Sequence, residues 1–222
     1  MHPKENVINM SNPRENPLPA QVKPELIEAF RKLATANISD NLERQPGAIG
    51  LRPFHNGTPM AGTAFTIKTR SGDNKVIHEA LDLIQPGDVL VVDGDGDVSR
   101  ALIGEIMSAI ARKRGAAGFV LDGAIRDVDA IGKDSFPVFA RSAIHRGPYK
   151  NGPGELNVPV SIGGMVVYPG DIIVGDLDGV VAFRPERAAE LLDAVRAQEL
   201  KEADILRTIE DGTYTGAYAT KK

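Results

Sequence analysis

The stretch Gly118-Phe119-Val120-Leu121-Asp122-Gly123-Ala124-Ile125-Arg126-Asp127 decides how this chain reads. It opens as a short apolar run, the pattern of a buried strand. It closes through a Gly-containing turn that delivers two adjacent charges, Arg126 and Asp127. Enzymes built on a central sheet place their chemistry where strands give way to loops. A carboxylate beside a guanidinium suits one task there: the carboxylate holds a divalent metal, and the guanidinium holds an oxyanion next to it. The plainer alternative is an ion pair that caps the strand end. This stretch alone does not choose between them.

Working outward, residues 89–92 form a second apolar run. A helical pattern over 100–114, with Leu102, Ile103, Ile106, Met107 and Ile110 on one face, separates it from 118–121. Strand, helix and strand in that order make, most simply, a parallel pair. Residues 61–69 alternate and are rich in Thr, Phe and Ile, which predicts a strand. Helices are predicted over 24–34, opened by Pro24, over 35–42, over 75–84 and over 128–133, with a further strand over 136–140. Short runs at 158–162, 165–168, 171–174 and 179–183, broken by Gly and Asp-Gly turns, read as an antiparallel meander. A long charged helix follows at 186–211. Between them, 142–157 is a Gly- and Pro-rich loop carrying His145, Arg146, Tyr149, Lys150 and Glu155. A loop of that length is expected to be functional or interfacial. The whole reads as one α/β domain over 23–222, preceded by a flexible arm over 1–22.

Composition bounds the function. With 222 residues, 42% hydrophobic and 25% charged, the chain is ordinary for a single globular domain. A net charge of −4 without a dense basic run argues against nucleic acid as a partner. No apolar run approaches the ~20 residues of a membrane span. Absence of cysteine removes disulfides, thiolate ligands and a cysteine nucleophile, and suits a cytoplasmic setting.

Several candidate motifs fail or stay open. The turn Asp93-Gly94-Asp95-Gly96-Asp97 resembles a calcium loop, but Val98 stands where that loop needs Gly and Gly104 where it needs the closing Glu. The same glycines fail the dinucleotide fingerprint. Gly104 sits inside a helical pattern, where a helix can break and restart. A restart would free the amides of Glu105, Ile106 and Met107 for an anion, while simple close packing at Gly104 is the alternative. None of His2, His55, His78 and His145 has the spacing of a zinc helix, and His145 is the best exception because of its loop. Lys68 is the only weak Schiff-base candidate.

At Asp122-Gly123-Ala124-Ile125-Arg126-Asp127, with Gly104-Glu105-Ile106-Met107 before it, the chain resembles the RraA-like family. That family joins class II pyruvate aldolases acting on 4-hydroxy-4-methyl-2-oxoglutarate and 4-carboxy-4-hydroxy-2-oxoadipate with regulators of ribonuclease activity. The resemblance extends through Pro86-Gly87-Asp88-Val89 and Val167-Tyr168-Pro169-Gly170-Asp171. It implies a swivelling β/β/α domain, with a mixed sheet, flanking helices and a long C-terminal helix. It implies a Mg²⁺ or Mn²⁺ ion on Asp127 and contact of Arg126 with the pyruvyl carbonyl oxygen. The amides of Gly104, Glu105, Ile106 and Met107 would receive the substrate carboxylate. Glu105 stands where the aldolases carry Asp and would hold water on the metal. A carboxylate from a neighbouring subunit, Glu199 or Glu202, would complete the site of a homo-oligomer, a trimer or a dimer of trimers. The expected reaction releases pyruvate from a 4-hydroxy-2-oxo acid, with oxaloacetate decarboxylation as a side activity. A regulator that binds a ribonuclease without turnover, and a lyase or hydrolase acting on another hydroxy or sugar acid, are the alternatives.

Overall fold

The computed structural model describes residues 16–44 and 47–216. The described residues run α1 (Pro24–Arg31), α2 (Thr35–Asp40), β1 (Arg52–Pro53), β2 (Met60–Thr69), α3 (Lys75–Leu81), β3 (Asp88–Asp93), β4 (Ala101–Ile103), α4 (Glu105–Lys113), β5 (Gly118–Ile125), α5 (Val128–Lys133), β6 (Val138–Ala143), β7 (Gly154–Leu156), β8 (Val160–Ile162), β9 (Met165–Val167), β10 (Ile172–Asp176), β11 (Gly179–Phe183) and α6 (Ala188–Glu210), which a single 3-10 turn at Pro185–Arg187 precedes. Nine of these strands form one mixed sheet in the order β1-β6-β5-β3-β2-β10-β11, with β4 added to β5 and β7 to β2. Most of the predicted arm lies outside the described residues. Its described end is tied down: Asn16 donates to Leu156 O, Gln21 to Asp88, and the Val22 amide to Thr63.

The centre of the sheet follows from apolar runs that bury both faces. β2, β3 and β5 pair in parallel, and nearly every residue in them is buried. Continuous rather than alternating burial is what helices on one face and further strands on the other require. One apolar layer, including Phe65, Leu90, Phe119 and Leu121, packs under α3, α4 and α5. The opposite layer, including Val91, Val120 and Phe139, packs under the separate β8–β9 hairpin. A third cluster joins α1, α2 and α6 to β10 and β11.

Two sequence expectations are corrected. The helix expected over 100–114 is a short strand, β4, then a helix that begins only at Glu105. Residues 101–103 are wholly buried beside Ala124 and Ile125, so pairing with β5 outweighs their helical spacing. The expected meander is two hairpins in different sheets, β8–β9 alone and β10–β11 joined to β2. The Pro-Gly-Asp turn sends β10 to a new partner instead of folding it back on β9. Thr35 opens α2 with its amide and hydroxyl both bonded to Asp176, at 2.8 and 2.6 Å.

Candidate active site

The end of β5 is re-aimed by an irregularity in its pairing with β6 between Leu121 and Ala124. Beyond it, Ala124 and Ile125 lie between β4 and β6, and the Arg126 amide donates to Ile103 O at 3.0 Å. A shift of this kind bends a strand and redirects its side chains. Asp127 follows in the left-handed region at φ 59°, uncommon for a residue with a Cβ and typical of functional sites.

Asp127 and the start of α4 are built against each other. Gly104 is the N-cap residue of α4, and the Glu105 amide donates to Asp127 Oδ2 at 3.0 Å. A Cβ at Gly104 would overlap Asp127 Oδ2 and stand 3.0 Å from Arg126 Cγ. No helix immediately precedes Gly104, so α4 begins there rather than restarting, and close packing is why the residue is Gly. Asp127 caps one of the first-turn amides, that of Glu105. Those of Ile106 and Met107 belong to the turn whose N–H groups have no partner within the helix.

The ion-pair alternative for Arg126 and Asp127 fares poorly. Arg126 Nε is 3.7 Å from Asp127 Oδ2, with both side chains more than 40% exposed. That is too long for a hydrogen bond, and exposed pairs stabilise by about 0–1 kcal/mol. The structural carboxylate of the same stretch is Asp122, which pairs with Arg141 and accepts the Gly163 amide at 2.8 Å.

A cavity of about 320 Å³ opens beside this rim. Gly104, Ile106, Met107, Arg126 and Asp127 line it, whereas Glu105 is exposed and does not. Asn74, His78 and Lys150 complete the wall, and sequence reasoning singled out none of them as site residues. His145, the histidine favoured by its loop, is exposed and does not line the cavity, and Lys68 points outward from its strand. Asn74, the residue that precedes α3, and His78 on α3 are four apart, which was the available signal. Asn74 Nδ2 donates to Leu102 O at 2.9 Å, while its buried Oδ1 has no partner among the described residues. Lys150 Nζ lies 3.5 Å from His78 Nε2. Burial, and then the Lys150 charge, hold the His78 imidazole below its usual range, against a weaker pull from Asp82.

The RraA-like model, described as Aldolase/RraA, matches residues 35–182. This chain belongs to the RraA-like family. Its family relatives include a Halalkalibacterium halodurans protein provisionally named a 4-hydroxy-4-methyl-2-oxoglutarate aldolase, 36% identical over 86% of this chain and 92% of that one. An uncharacterised Pseudomonas syringae protein has a solved structure that matches with TM-score 0.77 at 29% identity, over 87% of this chain and 96% of that one. The Streptomyces coelicolor protein RraAS2, described as an unusual member of an RNase ES inhibitor family, matches with TM-score 0.75 at 26% identity over 83% and 96%. The mixed sheet with its long C-terminal helix is thus the RraA-like fold.

Fit to a metal can be judged from the donors. Among the described residues no three Asp, Glu, His or Cys side chains gather into a cage. Asp127 Oδ1 is nonetheless a carboxylate oxygen at a cavity rim, with the Glu105 side chain on the adjoining turn. One or two carboxylates, with water completing the shell, is how Mg²⁺ is commonly held. The donor set fits such an ion and does not fit a fully protein-caged one.

Proposed function

We propose that this RraA-like protein is a divalent-metal-dependent lyase. It cleaves 4-hydroxy-2-oxo acids of the 4-hydroxy-4-methyl-2-oxoglutarate type to pyruvate and decarboxylates oxaloacetate alongside. The observation that carries the reading is Asp127, held left-handed against the α4 N-terminus with Arg126 beside it at a small cavity. The name of the H. halodurans relative points the same way.

The chemistry follows from the charge the reaction creates. Breaking the C3–C4 bond leaves the enolate of pyruvate, which needs a Schiff base or a metal to accept electrons. Asp127 would hold Mg²⁺ or Mn²⁺ with support from Glu105, and the ion when bound supplies the Lewis acid. The Ile106 and Met107 amides receive the C1 carboxylate at the positive end of α4. Arg126 places its charge on the developing enolate oxygen, a contribution of about 3–4 kcal/mol for one well-aimed donor in comparable sites. His78, kept neutral, offers its Nε2 lone pair for the hydroxyl proton, and Lys150 draws an anionic distal group to the far wall.

The test is pyruvate release from oxaloacetate and from 4-hydroxy-4-methyl-2-oxoglutarate, with Mg²⁺ and with EDTA, for the parent and for Asp127→Ala. Release that EDTA and the substitution both abolish supports the lyase. A folded protein that binds Mg²⁺ yet releases no pyruvate sinks it and favours another hydroxy or sugar acid. The description of RraAS2 favours a second reading, a protein-binding regulator. That reading gains if neither metal binding nor turnover is found.

A further inference from the structure

Asp73 touches none of the cavity, yet it lies between two residues that do, its neighbour Asn74 and Lys150 just before the amides it holds. Its side chain is fully buried, an unusual place for a carboxylate unless it is well partnered. Oδ2 accepts from the Gly152 amide at 2.7 Å, from the Asn151 amide at 3.0 Å and from Arg70 at 2.9 Å. Oδ1 accepts from the Lys75 amide at 2.9 Å, in the first turn of α3. Burial alone would push this carboxyl up; the three amides and Arg70 outweigh that and hold it below the usual carboxylate range.

Two of those amides belong to the residues directly after Lys150. The backbone on the other side of Lys150 is tied to the same place. The Tyr149 amide donates to Gly72 O at 2.8 Å, and the Asn74 amide donates to Tyr149 O at 3.0 Å. Gly152 lets this approach happen, because a Cβ there would stand 2.8 Å from Asp73 Cγ. Outside this clasp, the Tyr149 ring lies 3.9 Å from the Arg100 guanidinium, which bonds its hydroxyl, and 5.6 Å from that of Arg70. The adjacent residue, Asn74, reaches the other way, to Leu102 O just before the Gly104 turn.

We propose that Asp73 is a positioning residue: it fixes the 149–152 turn on the start of α3 so that the Lys150 ammonium stands over the cavity beside His78. The loop has no regular structure of its own between β6 and β7 apart from the Asp73–Tyr149 bridge. A lysine on a free loop would lose much of its affinity for an anion to ordering entropy, and the clasp removes that cost in advance. The role assigned to Lys150 rests on the lyase reading; the clasp itself does not.

The experiment compares the full-length parent with Asp73→Asn, Gly152→Ala, Lys150→Ala and the Asp73→Asn/Lys150→Ala double variant. Asp73→Asn keeps the shape but cannot serve all its donors, and Gly152→Ala pushes the turn off an intact carboxylate. Hydrogen exchange of the peptide spanning 147–153 is expected to quicken about tenfold or more in both, the loss of one good hydrogen bond to a charged group. KM for 4-hydroxy-4-methyl-2-oxoglutarate with Mg²⁺ is expected to rise about tenfold with kcat little changed, and Mg²⁺ affinity is expected to stay at the parent value. In the double variant KM should match Lys150→Ala alone, since Asp73 acts through that lysine. Additive effects, or a fall in kcat with KM unchanged, would overturn the proposal. If the parent releases no pyruvate, the lyase reading fails by itself. The exchange rates then decide the clasp, and unchanged exchange in both Asp73→Asn and Gly152→Ala rejects it.

Discussion

Asp127 shows how a single residue carries both strain and contact. Its left-handed backbone is held by the Glu105 amide on its carboxylate and by the Ile103 carbonyl on the preceding residue. Gly104 is the residue that permits this, since its own φ of −148° is open to any side chain and only the space is forbidden. Gly104→Ala is therefore expected to leave the fold intact and lower pyruvate release by about 10²-fold, the scale set by a displacement of about 1 Å at a reacting centre. Steady-state kinetics beside a melting curve separates the two effects. His78 gives the pH dependence. Its folded pKa is depressed, so the neutral, proton-accepting form is present above about pH 6.5 and is lost as pH falls through the depressed value. The kcat/KM profile should be flat at neutral pH and fall on the acid side, and His78→Gln should lower kcat by about 10²-fold and remove that limb. Stability follows the same sign, because the unfolded chain takes up the proton first as pH falls. The parent should lose stability on the acid side of pH 6.5 more steeply than His78→Gln, as urea unfolding at stepped pH will show.

At the scale of elements, β5 is the beam on which the site stands. All eight of its residues are buried, and Phe119 meets Phe136 edge-to-face at 6.2 Å beneath the helical layer. Phe119→Ala, far from the cavity, should cost about 3–5 kcal/mol in denaturant unfolding at fixed protein concentration, the usual range for a large aromatic removed from a core. The strand itself was legible in the sequence because its apolar run is local, and so was the Arg126–Asp127 pair at its end. At Gly104 the sequence left a helix break and close packing both open, and β4 was not legible. Leu102 and Ile103 fit a helical face as well as a strand, and only the open edge beside Ala124 and Ile125 decided between them. For the same reason the helical ladder that runs past Gly104 in the sequence begins at Glu105 in the structure.

For the whole molecule, the second half of α6 leaves Leu200, Leu206 and Ile209 more than half exposed. Apolar side chains grouped on one element mark a protein contact. We propose that copies of this chain meet there as a homo-oligomer, a trimer or a dimer of trimers. The Leu206→Glu/Ile209→Glu variant should run as a lighter species than the parent in size exclusion with light scattering; equal masses would place the contact elsewhere. Of the two acids considered for a neighbouring site, Glu202 is engaged at home, accepting from Asn37 at 2.9 Å and from Gln198 at 2.8 Å. Glu199 is the better candidate to cross a subunit boundary. No helix among the described residues is long and apolar enough to cross a membrane.

The sequence by itself determined the apolar runs that become β2, β3 and β5, and the charged pair at the end of β5. Each is written in neighbouring residues whose spacing and burial tendency act locally. Only the tertiary structure decided that β10 pairs with β2, that Asn74, His78 and Lys150 share a wall with Arg126, and that Asp73 clasps the loop between them. Those arrangements depend on which distant donor meets which acceptor once the sheet is assembled. A buried carboxylate is satisfied by amides nearly eighty positions away, and no periodicity along the chain records that choice.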